Sequence, residues 1–260
     1  MTPKLELKTV SYAYHSLDGE TPALSHISFS VMPGEFLAVV GPSGCGKSTL
    51  LSLICGLAEP EEGLILVDGT PIHQARDRIG YMLQKDHLFE WRSILSNTAL
   101  GLEIRRQLTS QRSEELKAML KAYGLEQFQE KRPSQLSGGM RQRAALIRTL
   151  ALKPDILLLD EPFSALDYQT RLSVCDDISS IIRENKKTAI LVTHDLSEAV
   201  STADRIVVLS PRPGRVKTIL TLTFSSEHPL SPMERRKAPE FSAYFQLLWK
   251  EMKEHDLPVS

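Results

Sequence analysis

Residues 36–49 read Phe36-Leu-Ala-Val-Val40-Gly41-Pro42-Ser43-Gly44-Cys45-Gly46-Lys47-Ser48-Thr49. Five consecutive apolar residues suit a strand covered on both faces. The next stretch matches G-x-x-x-x-G-K-[ST]. Beyond it, Leu50, Leu53, Ile54 and Leu57 recur at helical spacing. Strand, glycine loop and helix therefore follow directly on one another. Such a loop wraps phosphates with inward-pointing N–H groups, and Gly41, Gly44 and Gly46 let the backbone approach closely. The helix N-terminus adds about half a positive charge at the same place. Lys47 can reach the β- and γ-phosphates, the Ser48 hydroxyl can ligate Mg²⁺, and Thr49 brings a second hydroxyl. Pro42, Ser43 and Cys45 complete the cradle. Alone, the loop specifies a nucleoside triphosphate and nothing narrower.

Composition removes several alternatives. The 260 residues carry 31 basic and 32 acidic side chains, a net charge of -1. That balance argues against a dedicated nucleic-acid binder. The longest apolar run, Phe36–Val40, falls far short of the roughly 20 residues of a membrane-spanning helix. The first residues lack a basic-then-apolar signal pattern. Cys45, Cys55 and Cys175 cannot all pair with one another, which fits a reducing, cytosolic setting.

Outward from the loop, residues 4–10 and 27–31 alternate polar and apolar, as half-buried strands do. Leu64–Val67 reads as another strand. From about Asp86 to Leu152 the character is helical, with apolar stripes at Leu116/Met119/Leu120/Tyr123 and Met140/Ala144/Ile147/Ala151. Strand signals return at 156–159, 189–192 and 206–209, separated by helical stripes Val174/Ile178/Ile181 and Leu196/Ala199/Val200/Ala203. This predicts an α/β fold with a mostly parallel sheet. Four segments result: a nucleotide-binding core over 1–85, a helical insert over 86–152, a second part of the core over 153–222, and a linker with a C-terminal amphipathic helix over 223–260. The stripe Phe241/Tyr244/Phe245/Leu248/Met252 either packs on the core or touches a partner.

Two more clusters carry chemistry. Ile156-Leu-Leu-Leu-Asp160-Glu161 sets two carboxylates at a strand end. Beside the phosphate loop, Asp160 can hold the Mg²⁺ shell and Glu161 can act as general base toward water. Without that loop they would read as solvated acids. Leu136-Ser137-Gly138-Gly139-Met140 opens a helix with bare backbone donors. One nucleotide rarely needs two cradles from one chain, whereas two chains head to tail would use both. Alone, Ser-Gly-Gly would be an ordinary cap.

With these motifs in this order, residues 4–220 resemble an ATP-binding-cassette (ABC) ATPase. The resemblance implies a P-loop NTPase (RecA-like) fold with an N-terminal antiparallel β subdomain and a helical insert. It makes Leu136–Met140 the signature motif and Gln84 the Q-loop residue that senses Mg²⁺ and water. It makes Ser164-Ala-Leu-Asp167 the D-loop at a dimer interface and His194 the switch histidine on the γ-phosphate. Tyr14 becomes the aromatic that stacks on adenine, with Tyr12 a near alternative. The implied catalytic group is thus Glu161, His194, Gln84 and Lys47. ATP and Mg²⁺ are the implied cofactors, with Ser48, Gln84 and Asp160 around the metal.

Asp86–Asn97, containing Trp91 and Arg92, resembles the Leu-Leu-Pro-Trp-Arg-Thr-Val-x-x-Asn stretch of the nitrate/sulfonate/taurine importer branch, with Glu90 in place of the proline. Pro211-Arg-Pro-Gly214-Arg215 is typical of the same branch. The resemblance implies a homodimeric ATPase subunit on the cytoplasmic face of the inner membrane, without nucleic acid. It would dock on a separate permease near Trp91 and Arg92 and depend indirectly on an external solute-binding protein. Trp91 as a core residue of the insert is the alternative at that position. The alternative function is a non-transport ABC ATPase acting on nucleic acid or ribosomes. Cys45 is either a small packing residue or, at a helix N-terminus, a reactive thiol.

Overall fold

A computed structural model describes residues 2–17, 19–226 and 228–253. The chain opens with a long antiparallel hairpin, β1 (Leu5–Ser16) and β2 (Gly19–Val31), followed by β3 (Phe36–Val40) and α1 (Lys47–Ile54). Next come β4 (Glu62–Val67), β5 (Thr70–Pro71), the short α2 (Ile72–Ala75) and β6 (Ile79–Met82). The insert holds α3 (Ile94–Ile104), α4 (Ser110–Ala122) and α5 (Gly138–Leu150). The core resumes with β7 (Ile156–Asp160), α6 (Tyr168–Glu184), β8 (Thr188–Val192), α7 (Leu196–Thr202), β9 (Arg205–Leu209) and β10 (Val216–Thr221). Helices α8 (Pro232–Arg235) and α9 (Pro239–Lys253) follow.

Among the described residues these strands form two sheets. One is antiparallel, in the order β2-β1-β4-β5. The other runs β10-β9-β3-β8-β7-β6 and is parallel except for β10. This is a P-loop NTPase fold with an N-terminal antiparallel β subdomain and a helical insert.

Period-two alternation decides the layers. Leu37 and Val39 of β3 point into a core shared with the antiparallel sheet and α1, where Leu5, Leu24, Ile27, Leu50 and Ile54 are buried. Phe36, Leu157, Leu159 and Leu191 point the other way, against Val174, Ile178 and Ile182 of α6. Ala38 and Val40 on that face meet Ala199 and Val200 of α7 and Leu248 of α9. Leu248 is fully buried, and Phe241, Tyr244, Phe245 and Met252 pack beside it, so the tail stripe lies on the core. Residues 254–260, the end of the expected C-terminal segment, lie outside the described ones. The insert has its own core of Leu102, Leu116, Leu120, Ala144 and Ile147.

Three details differ from the sequence expectation. Leu57 lies beyond α1 and is exposed. Strands β6 and β10 and helix α3 escaped the periodicity reading. The linker expected in the first part of 223–260 contains the helical turn α8, capped by the Ser231 hydroxyl.

Candidate functional site

Parallel strands place their C-terminal ends along one edge of the sheet, where open α/β folds bind ligands. The phosphate loop follows β3, His194 follows β8, Asp160 and Glu161 end β7, and Gln84 follows β6. Strand β8 lies between β3 and β7, so loop and carboxylates are not on adjacent strands; they converge above it.

Gly44 and Gly46 have φ of 75° and 102°, values that favour glycine and turn the loop toward α1. The Lys47 ammonium is buried beneath it and donates to the Gly41 and Pro42 carbonyls at 2.7 and 2.9 Å. Cys45 is fully buried, and burial pushes its thiol pKa up despite the neighbouring Lys47 ammonium. That is the packing role, since a reactive thiolate needs the opposite shift.

A cleft of about 610 Å³ opens over the loop. Of the expected site residues, Tyr14, Ser43, Gly44, Gly46, Lys47, Ser48, Thr49, Glu161 and His194 line it. The Tyr14 hydroxyl lies 2.9 Å from Thr49 Oγ1. Tyr12 is half-buried and meets the Tyr14 ring edge-on, so Tyr14 is the aromatic at the cleft. Ala23 and Arg212 also line it, and the sequence reading assigned neither to the site. Their local signal was weak. Arg212 sits in the Pro211–Arg215 stretch noted only as a branch feature, and Ala23 carries no chemistry of its own.

Glu161 is the hub of the acidic side. Gln84 Nε2 donates to its Oε2 at 3.1 Å, and His194 Nδ1 lies 3.1 Å from the same oxygen. Its backbone takes φ 44° and is held by an N–H bond to the Val192 carbonyl at 2.9 Å. The Ser164 hydroxyl donates to the Glu161 carbonyl at 3.0 Å. Asp160 is buried, and desolvation raises its pKa; the Tyr81 hydroxyl, donating at 3.0 Å, and nearby Lys47 and Ser48 oppose that. A buried carboxylate beside a serine hydroxyl is a hard-oxygen pair that fits Mg²⁺, and Gln84, after the neighbouring strand β6, carries a further amide oxygen. Among the described residues no cluster of three His, Cys, Asp or Glu could hold a metal alone. An ion here would complete its shell from phosphate and water.

The histidine is braced from behind. Thr193 donates to Glu198 at 2.6 Å, while Asp195 caps α7 and accepts from Arg171 at 3.3 Å. Burial raises the Glu198 pKa to about 7.

Ser137, Gly138, Gly139 and Asp167 do not line the cleft. Ser137 caps α5, accepting the Met140 N–H at 3.3 Å. A Cβ on Gly138 would come within 2.8 Å of Leu166, and one on Gly139 within 2.7 Å of Val174. These glycines let the tip of α5 press against α6 and the loop before it. Asp167 caps α6, and its hydrogen bonds with Thr170 lower its pKa. The signature helix also grips the loop after Gln84. Arg141 pairs with Asp86 at 3.0 Å, and Arg148 donates to the Asp86 and His87 carbonyls.

Further along that loop, Trp91 is 72% exposed and packs on Phe89 at 4.7 Å between centroids, outside the insert core. Arg92 turns inward to Glu103 at 2.6 Å. Glu90, where the importer branch has proline, accepts the Ser134 N–H at 3.1 Å and ties the loop down.

Residues 24–164 match the ABC transporter family. The chain belongs to that family. This ABC transporter ATP-binding subunit is an ATP hydrolase, and it is 46% identical over 248 residues to the uncharacterized ABC transporter ATP-binding protein YtlC of Bacillus subtilis (strain 168), covering 95% of each chain. It is 40% identical over 224 residues to the taurine import ATP-binding protein TauB of Pseudomonas putida, covering 86% of this chain and 85% of that one. Among solved structures, it is similar to the ATP-binding cassette MJ0796, seen as a dimer in a post-hydrolysis state with ADP and Pi. There the TM-score is 0.72 at 31% identity, over 84% of this chain and 99% of that one. Among the described residues no helix of the ABC subunit is long and apolar enough to cross a membrane.

Proposed function

We propose that this subunit is the motor of an importer for a small organic solute, with sulfonates such as taurine the favoured class. It works as a head-to-tail dimer on the cytoplasmic face of the membrane, docked on a separate permease. The observation that carries the ATPase part is the Glu161 carboxylate, tied to Gln84 and His194 at the mouth of the phosphate-loop cleft. Likeness to taurine import subunits supports the solute class.

In this reading ATP lies with adenine toward Tyr14 and its phosphates over Gly41–Thr49. Lys47 exchanges the Gly41 and Pro42 carbonyls for phosphate oxygens and offsets the charge that develops on them. Glu161 removes a proton from water as the water oxygen attacks the γ-phosphorus, and the bridging oxygen leaves with ADP. His194 fixes the Glu161 carboxylate and contacts the γ-phosphate. Gln84, Ser48 and Asp160 would hold Mg²⁺, which when bound neutralises phosphate charge. Ser137, Gly138 and Gly139 cap the partner's ATP, and Asp167 stands at the dimer interface, consistent with their distance from their own cleft. The exposed Phe89–Trp91 pair receives the permease.

Sedimentation velocity of Glu161→Gln tests the shared site. ATP should convert monomer to dimer, and a monomer with and without ATP would refute it. Uptake of labelled taurine in cells with and without the subunit tests the solute: equal uptake rejects the sulfonate assignment.

A further inference from the structure

The cleft has a wall that comes from the far end of the cassette. The β9–β10 turn is closed by Ser210, whose backbone N–H donates to the Arg215 carbonyl at 2.9 Å and whose hydroxyl accepts the Arg215 N–H at 3.0 Å. Gly214 then lies along β2. Its N–H donates to the Ala23 carbonyl and its carbonyl accepts from Ser25, both at 2.9 Å. A Cβ on Gly214 would run into the Cys45 carbonyl of the phosphate loop, and one on Gly46 would meet Leu24 at 2.7 Å. Three distant segments are thus clamped together, and the clamp aims one cation at the cleft. Arg212 Nε donates to the Pro22 carbonyl at 2.9 Å, with Nη2 3.5 Å from the Thr21 carbonyl. Thr21 is the cross-strand partner of Tyr14. Arg212 therefore stands at the Tyr14 side of the cleft, away from the carboxylates Asp160 and Glu161.

We propose that Arg212 is a nucleoside-binding residue of the ATP site, laying its guanidinium against the base and ribose beside Tyr14. The inference rests on the cleft being the ATP site. Arginine offers five N–H donors on a flat, permanently charged group. With two donors at β2 carbonyls the plane is oriented, and Arg212 lines the cleft with donors to spare. A flat cation suits an adenine face, as does the Tyr14 ring, and its spare N–H groups suit ribose hydroxyls. Lys47 and the loop N–H groups already serve the phosphates, so the contribution of Arg212 falls on the nucleoside half.

The test is calorimetric titration of ATP and of inorganic tripolyphosphate into the full chain and into Arg212→Met, Arg212→Lys and Lys47→Ala. Arg212→Met should weaken ATP binding about 3- to 10-fold and leave tripolyphosphate affinity unchanged. Arg212→Lys keeps the charge without the plane and should remain weakened for ATP alone; it also serves if the Met variant folds poorly. Equal loss for both ligands makes Arg212 a phosphate ligand and overturns the proposal, as does unchanged ATP affinity with Lys47→Ala still defective. If Lys47→Ala binds ATP as well as the native chain, the cleft assignment fails, and the proposal with it.

Discussion

His194 Nδ1 and Gln84 Nε2 both stand 3.1 Å from one oxygen of Glu161. The carboxylate that would face the attacking water is therefore oriented by residues after two other strands. Glu161→Gln keeps this shape and removes the proposed base. Hydrolysis should fall about 10²–10⁴-fold with ATP affinity retained. Phosphate release and nucleotide binding, measured on the same preparation, check both halves.

Glu198 gives a pH signature. Its pKa is raised to about 7 by burial, so between its ordinary value of 4.5 and 7 the folded chain holds a proton that the unfolded chain has lost. Stability from this group is full below about pH 4.5 and is lost as pH rises toward 7. The contribution is on the order of 3 kcal/mol at most. Glu198→Gln should flatten the fall in melting temperature between pH 5 and 8. An unchanged slope would place the ionisation elsewhere.

Gly139→Ala tests the contact between signature helix and α6. Helix propensity favours alanine by up to about 1 kcal/mol. The new methyl meets Val174, whose stiff β-branched side chain cannot swing aside. Overpacking costs about 1–3 kcal/mol, so net destabilisation is expected. Chemical denaturation of the two proteins gives the sign.

Trp91 is exposed while Arg92 is tied to Glu103. Trp91→Ala should leave the melting temperature and the ATPase rate of the isolated subunit unchanged. Co-purification with the proposed permease should drop, as expected for an aromatic anchor. Full retention of the complex would remove Trp91 from the interface.

How far the sequence could be read depended on whether the signal was local. Strand β3 matches its five-residue apolar run, and Gly41–Thr49, Asp160–Glu161 and His194 follow buried strands because each motif abuts its own strand. Strand β6, Ile-Gly-Tyr-Met, is too short and mixed to stand out; pairing with β7 makes it a strand. β10 is an edge strand, half-buried along most of its length, and neither alternates clearly nor runs apolar. Leu57 kept the helical spacing after Gly56 had turned the chain with φ 72°. Arg212 and Ala23 enter the cleft only through contacts between β2 and the β9–β10 turn, which no window of sequence contains.

The meeting of Leu24, Cys45 and Gly214 also orders events in time. The phosphate loop is synthesised early, but the backbone that flanks its Cys45 carbonyl leaves the ribosome only after almost the whole cassette. A nascent chain stopped short of Gly214 carries every residue of the loop without its last support. Chains released at 205 and at 222 should differ in protease sensitivity around Cys45, and equal sensitivity would mean the loop matures without that clasp. The phosphate loop is enclosed late, when the β9–β10 turn comes back to lie along β2.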